Sequence, residues 1–269
     1  EGKERNMIVI ISDIHLGADL VFSEINNNLK GLEKFPAISA LAAGNKVILK
    51  PSELPSRASS AMATLINTHF DSSYFHVVEE GVPETTELLE NRFDKIFFTG
   101  SIPVGRMIYQ AAAKHLTPVT IELGGKSPTF VFTDYDMKVT AKRLVWAKYF
   151  NAGQTCVAPD YILVEKKAEE RFLQALFTEL DNYPKAYPEI DDNYTQIINT
   201  KNFDHLSGLI DTTKIGYGGM TDRDTRFIAP TVLRNISFDD KIMEDEIFGP
   251  ILPVLNFTDL DAAIQEVKN

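Results

Sequence analysis

Short apolar runs alternate with amphipathic stretches along most of this chain. The first run lies in NMIVIISD, Asn6–Asp13, where consecutive apolar residues precede a polar end and predict a short buried strand. From Lys46 onward, runs of strand length alternate with segments of helical spacing. This alternation predicts an α/β protein in which a Rossmann-like parallel sheet carries helices on both faces.

The predicted elements fall into two groups. In the first group, the predicted strands are Lys46–Lys50, Phe75–Glu79, Lys95–Thr99 and Val119–Leu123, and the predicted helices are Ser56–Phe70, Pro83–Asn91 and Val104–His115. In the second group, which begins at Ser127, the predicted strands are Pro128–Phe132 and Tyr161–Glu165, and the predicted helices are Asp136–Phe150 and Lys167–Leu180. The Pro- and acid-rich stretch Tyr183–Asp192 predicts a surface connection. The second group predicts a second α/β domain.

The stretch FNAGQTCVAP, Phe150–Pro159, holds the only cysteine in the chain, Cys156. A single cysteine cannot form an internal disulfide, and its simplest interpretation is a small buried apolar side chain. Gly153, Gln154 and Thr155 break the apolar pattern that leads into it, so Cys156 is expected in a loop between a helix and a strand. Because loops on a rigid scaffold often carry chemistry, Cys156 is a candidate nucleophile.

Glu122 ends an apolar run in TPVTIELGGKSP, Thr117–Pro128, and Gly124 and Gly125 follow it. A carboxylate at the end of a buried strand can have its pKa raised by desolvation, which suits a proton acceptor near neutral pH. A surface glutamate at a strand end is the alternative. Together with the thiol, Glu122 suggests a nucleophile and a base in one pocket.

The segments IELGGKSP and FNAGQTC, at this spacing, resemble the two signature segments of the aldehyde dehydrogenase superfamily. The likeness continues in the family's order through ILKPSE at Ile48–Glu53, FFTGS at Phe97–Ser101 and EIFGP at Glu246–Pro250. The likeness covers about residues 35–269 with gaps. Within the superfamily, the sequence most resembles the fatty and aromatic aldehyde branch.

This resemblance implies NAD(P)-dependent oxidation of a small-molecule aldehyde to a carboxylic acid. Cys156 would attack the aldehyde carbon and form first a thiohemiacetal and then a thioester. Glu122 would activate the water that hydrolyses the thioester. The backbone N–H of Cys156 would help to hold the oxyanion, together with an Asn side chain that the family carries in a segment preceding Pro36; that segment has been replaced in this chain.

The resemblance also implies a set of cofactor-binding residues. They are Lys50, Ser52, Glu53, Gly100, Ser101, Gly124, Glu246 and Phe248. No GxGxxG motif is present, so only the resemblance names the cofactor. The GS turn before a helix suits a pyrophosphate at the amino end of that helix, although such a turn is also a common structural cap.

The loop Lys50–Glu53 has two interpretations. By charge, Glu53 should hydrogen-bond ribose hydroxyls and repel a 2′-phosphate, whereas Lys50 could tolerate one. NAD is therefore expected, with NADP as the alternative. In a protein without the resemblance, this stretch would be interpreted as a solvated charged loop.

The segment SDIHLGAD, Ser12–Asp19, resembles the first motif of the calcineurin-like metallophosphoesterases, and residues 6–33 resemble the start of such a protein. Asp13 and His15 would be ligands of one metal, and a helix from Ser23 is expected to follow. One such pair is only a fragment of a two-metal site, and no GDxxD, GNH or GHxH follows. A metal-dependent phosphoesterase remains the alternative function, and a bound metal is otherwise not expected.

The character of the chain changes near residue 35, and a second gap in the resemblance is expected near residue 215. The expected domains are an amino-terminal segment of different origin at residues 1–34, a partial dinucleotide-binding domain at residues 35–122 and a partial catalytic thiol domain at residues 123–269. The resemblance implies that family members carry further sequence after the position that matches residue 269. In the family, that portion completes the substrate tunnel and adds an oligomerisation strand. Full-length members are expected to be homo-oligomers, and an inactive, truncated dehydrogenase-like protein is a third hypothesis for this chain.

The composition of the chain limits which binding partners and which cellular compartment are expected. The net charge of -11, with a pI near 5.0 and no long basic run, argues against a nucleic-acid partner. No apolar stretch is long enough to cross a bilayer, and the opening residues do not read as a secretory signal. One unpaired cysteine agrees with a reducing compartment, so a cytoplasmic protein is expected.

Overall fold

A computed structural model describes residues 7–12, 36–79, 81–186 and 194–268. The chain forms two compact units, residues 1–124 and residues 125–269. Each unit contains a sheet with helices on both faces. The predicted α/β class is confirmed.

The sheet of the first unit has five parallel strands among the described residues, in the order β3-β2-β1-β4-β5. Its strands are β1 Met7–Ser12, β2 Lys46–Pro51, β3 Phe75–Val77, β4 Lys95–Gly100 and β5 Val119–Leu123. Its helices are α1 Pro36–Ala42, α2 Ser56–His69, α3 Val82–Leu89 and α4 Ile102–Ala113. The strands and helices predicted here are present, with ends that differ by up to two residues.

Strand β1 lies at the centre of this sheet, between β2 and β4. Val9 and Ile11 face a core that α3 and α4 cover, whereas Ile8 and Ile10 face the opposite core, which α1 and α2 cover. A parallel strand that is buried on both faces reads as a continuous apolar run. The buried strand predicted from this run is therefore confirmed, and its apolar residues stabilise both layers of the unit.

The sheet of the second unit has five strands in the part of the chain that the structure describes, in the order β6-β7-β12-β11-β8. Its strands are β6 Pro128–Val131, β7 Tyr161–Glu165, β8 Ile215–Tyr217, β11 Thr231–Leu233 and β12 Ile251–Phe257, with β9 Thr221–Asp222 and β10 Phe227–Ile228 as a separate antiparallel pair. Its helices are α5 Met137–Tyr149, α6 Glu169–Ala186, α7 Thr200–Ser207 and α8 Leu260–Lys268. Only β8 runs antiparallel to its neighbour in this sheet. Helices α5 and α6 pack on one face, and α7 and α8 on the other.

Helix α6 is longer than its sequence predicts. It begins at Glu169, after a 3₁₀ turn over Lys166–Ala168, and continues to Ala186. The prediction of a surface connection over Tyr183–Asp192 is therefore wrong for Tyr183–Ala186, and residues 187–192 lie outside the described residues. The ring of Tyr183 is buried, with its centroid 6.4 Å from that of Tyr149, and this packing keeps the segment helical despite its polar composition.

Lys148 is a charged residue on the buried face of α5, only 1% exposed. The pKa of its ammonium is lowered to about 8, chiefly by burial and also by the nearby charge of Lys126, although the carboxylates of Asp160 and Glu246 oppose the shift. The second unit therefore contains a cationic group whose charge the fold only partly compensates.

The central position of β1 predicts a large cost for truncating one of its buried side chains. Ile10→Ala should lower the free energy of unfolding by about 2–5 kcal/mol, because it removes buried methyl groups and leaves a cavity. Ile102→Ala, at a half-exposed position at the start of α4, is the matched control. Urea unfolding followed by far-UV circular dichroism compares them. Equal midpoints for the two variants would show that β1 does not lie in the core.

The buried amine of Lys148 predicts a pH dependence with a definite sign. Since its pKa is lower in the folded chain than the usual 10.5, the unfolded chain binds one more proton between about pH 8 and 10.5. Wild type should therefore gain stability relative to Lys148→Met as the pH rises through this window, by about 3 kcal/mol in total. Urea titrations of both proteins at several pH values measure this difference, and a flat difference would contradict the assignment.

Candidate active site

Two expected cofactor segments lie where β2 and β4 end, at the carboxyl edge of the first sheet. Lys50–Glu53 spans the end of β2 and the residues after it, and Gly100–Ser101 spans the end of β4; β1 lies between these two strands. Ligands of open α/β sheets bind at this edge. The structure thus places five of the expected cofactor residues, Lys50, Ser52, Glu53, Gly100 and Ser101, on one edge of one sheet.

Lys50 is not part of a solvated loop. Its side chain is 3% exposed, and its Nζ donates a hydrogen bond to the carbonyl of Pro51 at 2.6 Å and lies 3.9 Å from a carboxylate oxygen of Glu53. Glu53 is half exposed. Ser52 is buried, and its carbonyl accepts a hydrogen bond from the Ser59 hydroxyl of α2. The loop therefore presents an accessible carboxylate above a buried cation.

Ser101 is the N-cap residue of α4, and its side chain makes no capping hydrogen bond. The amino end of this helix is therefore open to an anion. Helix α4 can lie close to the sheet because Gly105 has no side chain. A Cβ at that position would lie 2.5 Å from the Leu123 side chain of β5.

Glu122 lies in β5, the last strand in the order of the first sheet, and its side chain is exposed. The expectation of a carboxylate desolvated at the end of a buried strand is therefore wrong. The reason is tertiary: β5 pairs only with β4 among the described strands. Gly124 is the last residue of the first unit.

The loop that carries Cys156 begins with an unusual backbone. Asn151, Ala152 and Gly153 all have positive φ angles, of 52°, 52° and 72°. Ala152 has a Cβ and so pays for this conformation, and strain of this kind clusters at functional sites. Cys156 follows in the loop that the sequence predicted, and it is exposed, so the interpretation as a buried apolar side chain is wrong.

Gln154 anchors this loop from inside. It is buried, and its side-chain amide donates to the carbonyls of Asn151 and Gln196 and accepts from the N–H of Ile198 at 2.9 Å. Gln154 therefore ties the loop to the strained Asn151 and to the separate segment Gln196–Ile198, while Cys156 itself stays accessible. The sequence motif contained Gln154, but nothing in the pattern revealed its anchoring role.

The Cys156 loop packs directly against the segment that contains Glu246 and Phe248. A Cβ at Gly153 would lie closer to the carbonyl oxygen of Gly249 than van der Waals contact allows, and 3.1 Å from the carbonyl of Lys148. Gly153 is therefore required by close approach as well as by its φ angle. The second unit thereby brings the expected nucleophile's loop and two expected cofactor residues into one region.

Glu246 and Phe248 differ in their surroundings. Partial burial and the neighbouring Asp160 carboxylate raise the pKa of Glu246, whereas a hydrogen bond from the N–H of Gly125 and the charge of Lys126 lower it. Phe248 has a φ of 50°, a left-handed conformation that is rare for a bulky residue.

Two residues of this region were not singled out from the sequence. Lys126 and Asp160 form an ion pair at 2.5 Å, and both bond to the backbone near Glu246. Lys126 lies in the GGK motif, and Asp160 directly precedes β7. No spacing rule connects them, because they lie 34 positions apart and meet only in the folded unit.

The metal alternative has no described site. Asp13 and His15, and the helix expected from Ser23, lie outside the described residues. Within the residues that are described, no group of three or more His, Cys, Asp or Glu side chains is placed to hold a metal ion. In the same part of the chain, none of the helices has both the length and the apolar character needed to cross a membrane.

Comparisons with known proteins all point to the same protein family. A sequence profile described as "Aldehyde dehydrogenase family" matches residues 34–269. The chain is 46% identical over 233 residues to the rat protein named "Aldehyde dehydrogenase, dimeric NADP-preferring", covering 87% of this chain and 51% of that protein. It is 47% identical over 233 residues to human "Aldehyde dehydrogenase family 3 member B1", covering 87% of this chain and 50% of the relative.

Solved structures agree with these relatives. A Staphylococcus aureus structure, the "substrate bound state" of AldH, superposes with a TM-score of 0.85 at 39% identity, covering 97% of this chain and 55% of that chain. An Escherichia coli structure described as an "NADP dependent enzyme" gives a TM-score of 0.81 at 26% identity, covering 98% of this chain and 55% of that one.

The chain spans about half the length of the curated relatives it matches. None of the matches reported above is to a metallophosphoesterase, so the resemblance of residues 6–33 is unsupported. The profile match covers most of the sequence. This chain therefore belongs to the aldehyde dehydrogenase family.

Proposed function

We propose that this chain oxidises an aldehyde to a carboxylic acid with a nicotinamide cofactor, through a covalent adduct on Cys156. One observation carries the proposal: the only cysteine is exposed on a strained loop that buried hydrogen bonds hold in place. A nucleophile needs this combination, because the thiol must be reachable while its backbone stays fixed. Membership of the family makes aldehyde oxidation the chemistry that fits.

The proposed mechanism assigns a step to each residue. The Cys156 thiolate forms a carbon–sulfur bond to the aldehyde carbon, and the carbonyl oxygen becomes an oxyanion that the backbone N–H of Cys156 helps to stabilise. To become a thioester, the adduct must lose a hydride from the former aldehyde carbon as the C=O bond re-forms, and a bound nicotinamide would supply the acceptor for that hydride. Glu122 then takes a proton from water, which attacks the thioester carbon, so that the carbon–sulfur bond breaks and a carboxylate leaves.

The expected cofactor residues of each unit have the chemistry to bind part of a dinucleotide. The exposed carboxylate of Glu53 suits ribose hydroxyls, the uncapped amino end of α4 at Ser101 suits a pyrophosphate, and Glu246 and Phe248 would hold the nicotinamide ribose and ring. We expect NAD to be preferred because Glu53 would repel a 2′-phosphate. The buried charge of Lys50 and the "NADP-preferring" name of a relative favour the alternative, NADP.

Substrate, assembly and compartment follow from the family in the same way. We propose a small fatty or aromatic aldehyde as the substrate. A homo-oligomer is proposed because one relative is named dimeric. A reactive thiol with no disulfide partner suits a reducing, cytoplasmic compartment.

The covalent step predicts that Cys156→Ser abolishes aldehyde-dependent formation of NADH or NADPH, because a hydroxyl at this position is a far weaker nucleophile than a thiolate. The rate is measured by absorbance at saturating aldehyde, with NAD and NADP in separate assays. Val157→Ala, at the exposed next position in the same turn, should keep the wild-type rate. Retained turnover in Cys156→Ser would refute the covalent mechanism. Absence of turnover in wild type as well would favour an inactive dehydrogenase-like protein.

The role of Glu122 predicts a burst in Glu122→Gln. This variant should form about one reduced nicotinamide per active chain and then stall, since the thioester forms without the base but is not hydrolysed. Stopped-flow absorbance resolves the burst. Glu87→Gln, another exposed carboxylate of the first unit, is the matched control and should turn over steadily. Steady turnover of Glu122→Gln at the wild-type rate would exclude Glu122 from deacylation.

A further inference from the structure

Lys126 is the centre of an unusual set of hydrogen bonds in the second unit. Its Nζ donates to a carboxylate oxygen of Asp160 at 2.5 Å and to the backbone carbonyls of Ile242 at 3.1 Å and Asp245 at 2.8 Å. A lysine ammonium has three donors, so these partners use all of them. Lys126 therefore has no donor left for a substrate, and its contacts tie three separate stretches of chain together.

Asp160 completes the set from the other side. It is 3% exposed, and its second carboxylate oxygen accepts the backbone N–H of Ile247 at 2.9 Å. Its own N–H donates to the carbonyl of Ser127 at 2.9 Å, next to Lys126. Asp160 thus lies between the end of the Cys156 loop and the start of β7, and it bonds to both Lys126 and the segment that follows Glu246.

These bonds bracket Glu246. Lys126 holds the backbone at Ile242 and Asp245, and Asp160 holds it at Ile247, so side-chain bonds fix the main chain immediately before and after Glu246. Ordinary secondary structure does not do this, since only a 3₁₀ turn at Lys241–Met243 lies in this stretch. The position of Glu246 therefore depends on the ion pair.

The backbone beyond the bracket is strained. Phe248 has a φ of 50°, which costs about 1–3 kcal/mol for a residue of this size. Such a conformation persists only where surrounding contacts over-determine it. The bond from the N–H of Ile247 to Asp160 lies one residue before it, and the close packing of Gly249 on Gly153 lies one residue after it.

We propose that Lys126 and Asp160 form a clamp that fixes the segment Ile242–Ile247 and so positions Glu246 and Phe248 for the nicotinamide cofactor. Both are positioning residues: they act through the backbone of this segment and touch no reacting atom. The cofactor half of this proposal rests on the proposed function, whereas the clamp itself does not.

An explanation from stability alone accounts poorly for this arrangement. A buried ion pair recovers little net stability, because the cost of desolvating two charges offsets their attraction. The clamp adds three side-chain bonds to backbone atoms of a single irregular segment, which fixes that segment's conformation. Its loss should therefore loosen this segment before it unfolds the unit.

The test uses Asp160→Asn and Lys126→Met, with Glu169→Gln as the matched control. Glu169 is also a buried carboxylate of the second unit that pairs with a lysine, Lys166 at 2.6 Å, but it bonds to none of the backbone atoms of residues 242–247 in the described contacts. Hydrogen–deuterium exchange without cofactor is followed by mass spectrometry over residues 242–249. Both clamp variants should exchange at least tenfold faster there and at the wild-type rate elsewhere in the unit, whereas Glu169→Gln should not change this stretch.

Cofactor titrations then test the positioning role. With NAD or NADP, the clamp variants should show a KM for the cofactor raised about tenfold and an unchanged KM for the aldehyde, since only the cofactor contacts are displaced. The double variant should have the same cofactor KM as either single variant, because both substitutions disrupt the same clamp.

Unchanged exchange over residues 242–249, or an equal rise across the whole unit, would overturn the clamp. Faster local exchange with unaltered cofactor KM would overturn the positioning role. Failure of wild type to bind either nucleotide would refute the proposed function and the positioning role, while the exchange result still decides the clamp.

Discussion

The second unit depends on a contact between two backbones, at Gly153 and Gly249. A Cβ at Gly153 would lie too close to the carbonyl oxygen of Gly249, and the left-handed φ of Gly153 adds a second reason for glycine there. Because of this contact, the loop that carries Cys156 and the segment that carries Glu246 and Phe248 cannot move independently. The loop of the proposed nucleophile and the proposed nicotinamide-binding segment are thus held against each other by main-chain packing.

Charge is then arranged around that contact. Lys126, Lys148, Asp160 and Glu246 place two cations and two carboxylates in one partly buried region, so the formal charge balances locally. The four charged groups differ in how directly they interact. Lys126 and Asp160 make direct bonds, whereas Lys148 contributes through space and remains costly to bury, which its lowered pKa reflects.

The first unit shows that the pattern of a segment and its likeness to a family are separate kinds of information. The profile match begins at residue 34, so β1 precedes the part of the chain that is recognisably of this family. The apolar run of β1 nevertheless occupies the centre of the sheet, because any strand with apolar residues on both faces suits a position covered by helices on both sides. At this position the sheet requires apolar side chains on both faces and backbone pairing with both neighbouring strands. The motif that follows β1 in the sequence affects neither requirement.

Local pattern alone determined most of the elements of both units and the exposed loop around Cys156, because apolar periodicity and breaks in it are properties of neighbouring residues. The motif segments also named the loops at Lys50–Glu53 and Gly100–Ser101. Tertiary structure alone decided the rest. Glu122 is exposed because β5 is the last of the described strands in its sheet. Lys50 is buried under its own loop, and Tyr183 stays helical because it packs on Tyr149. The partnership of Lys126 with Asp160 had no local signal, since hydrogen bonds between residues 34 and more positions apart exist only once the strands have placed them together.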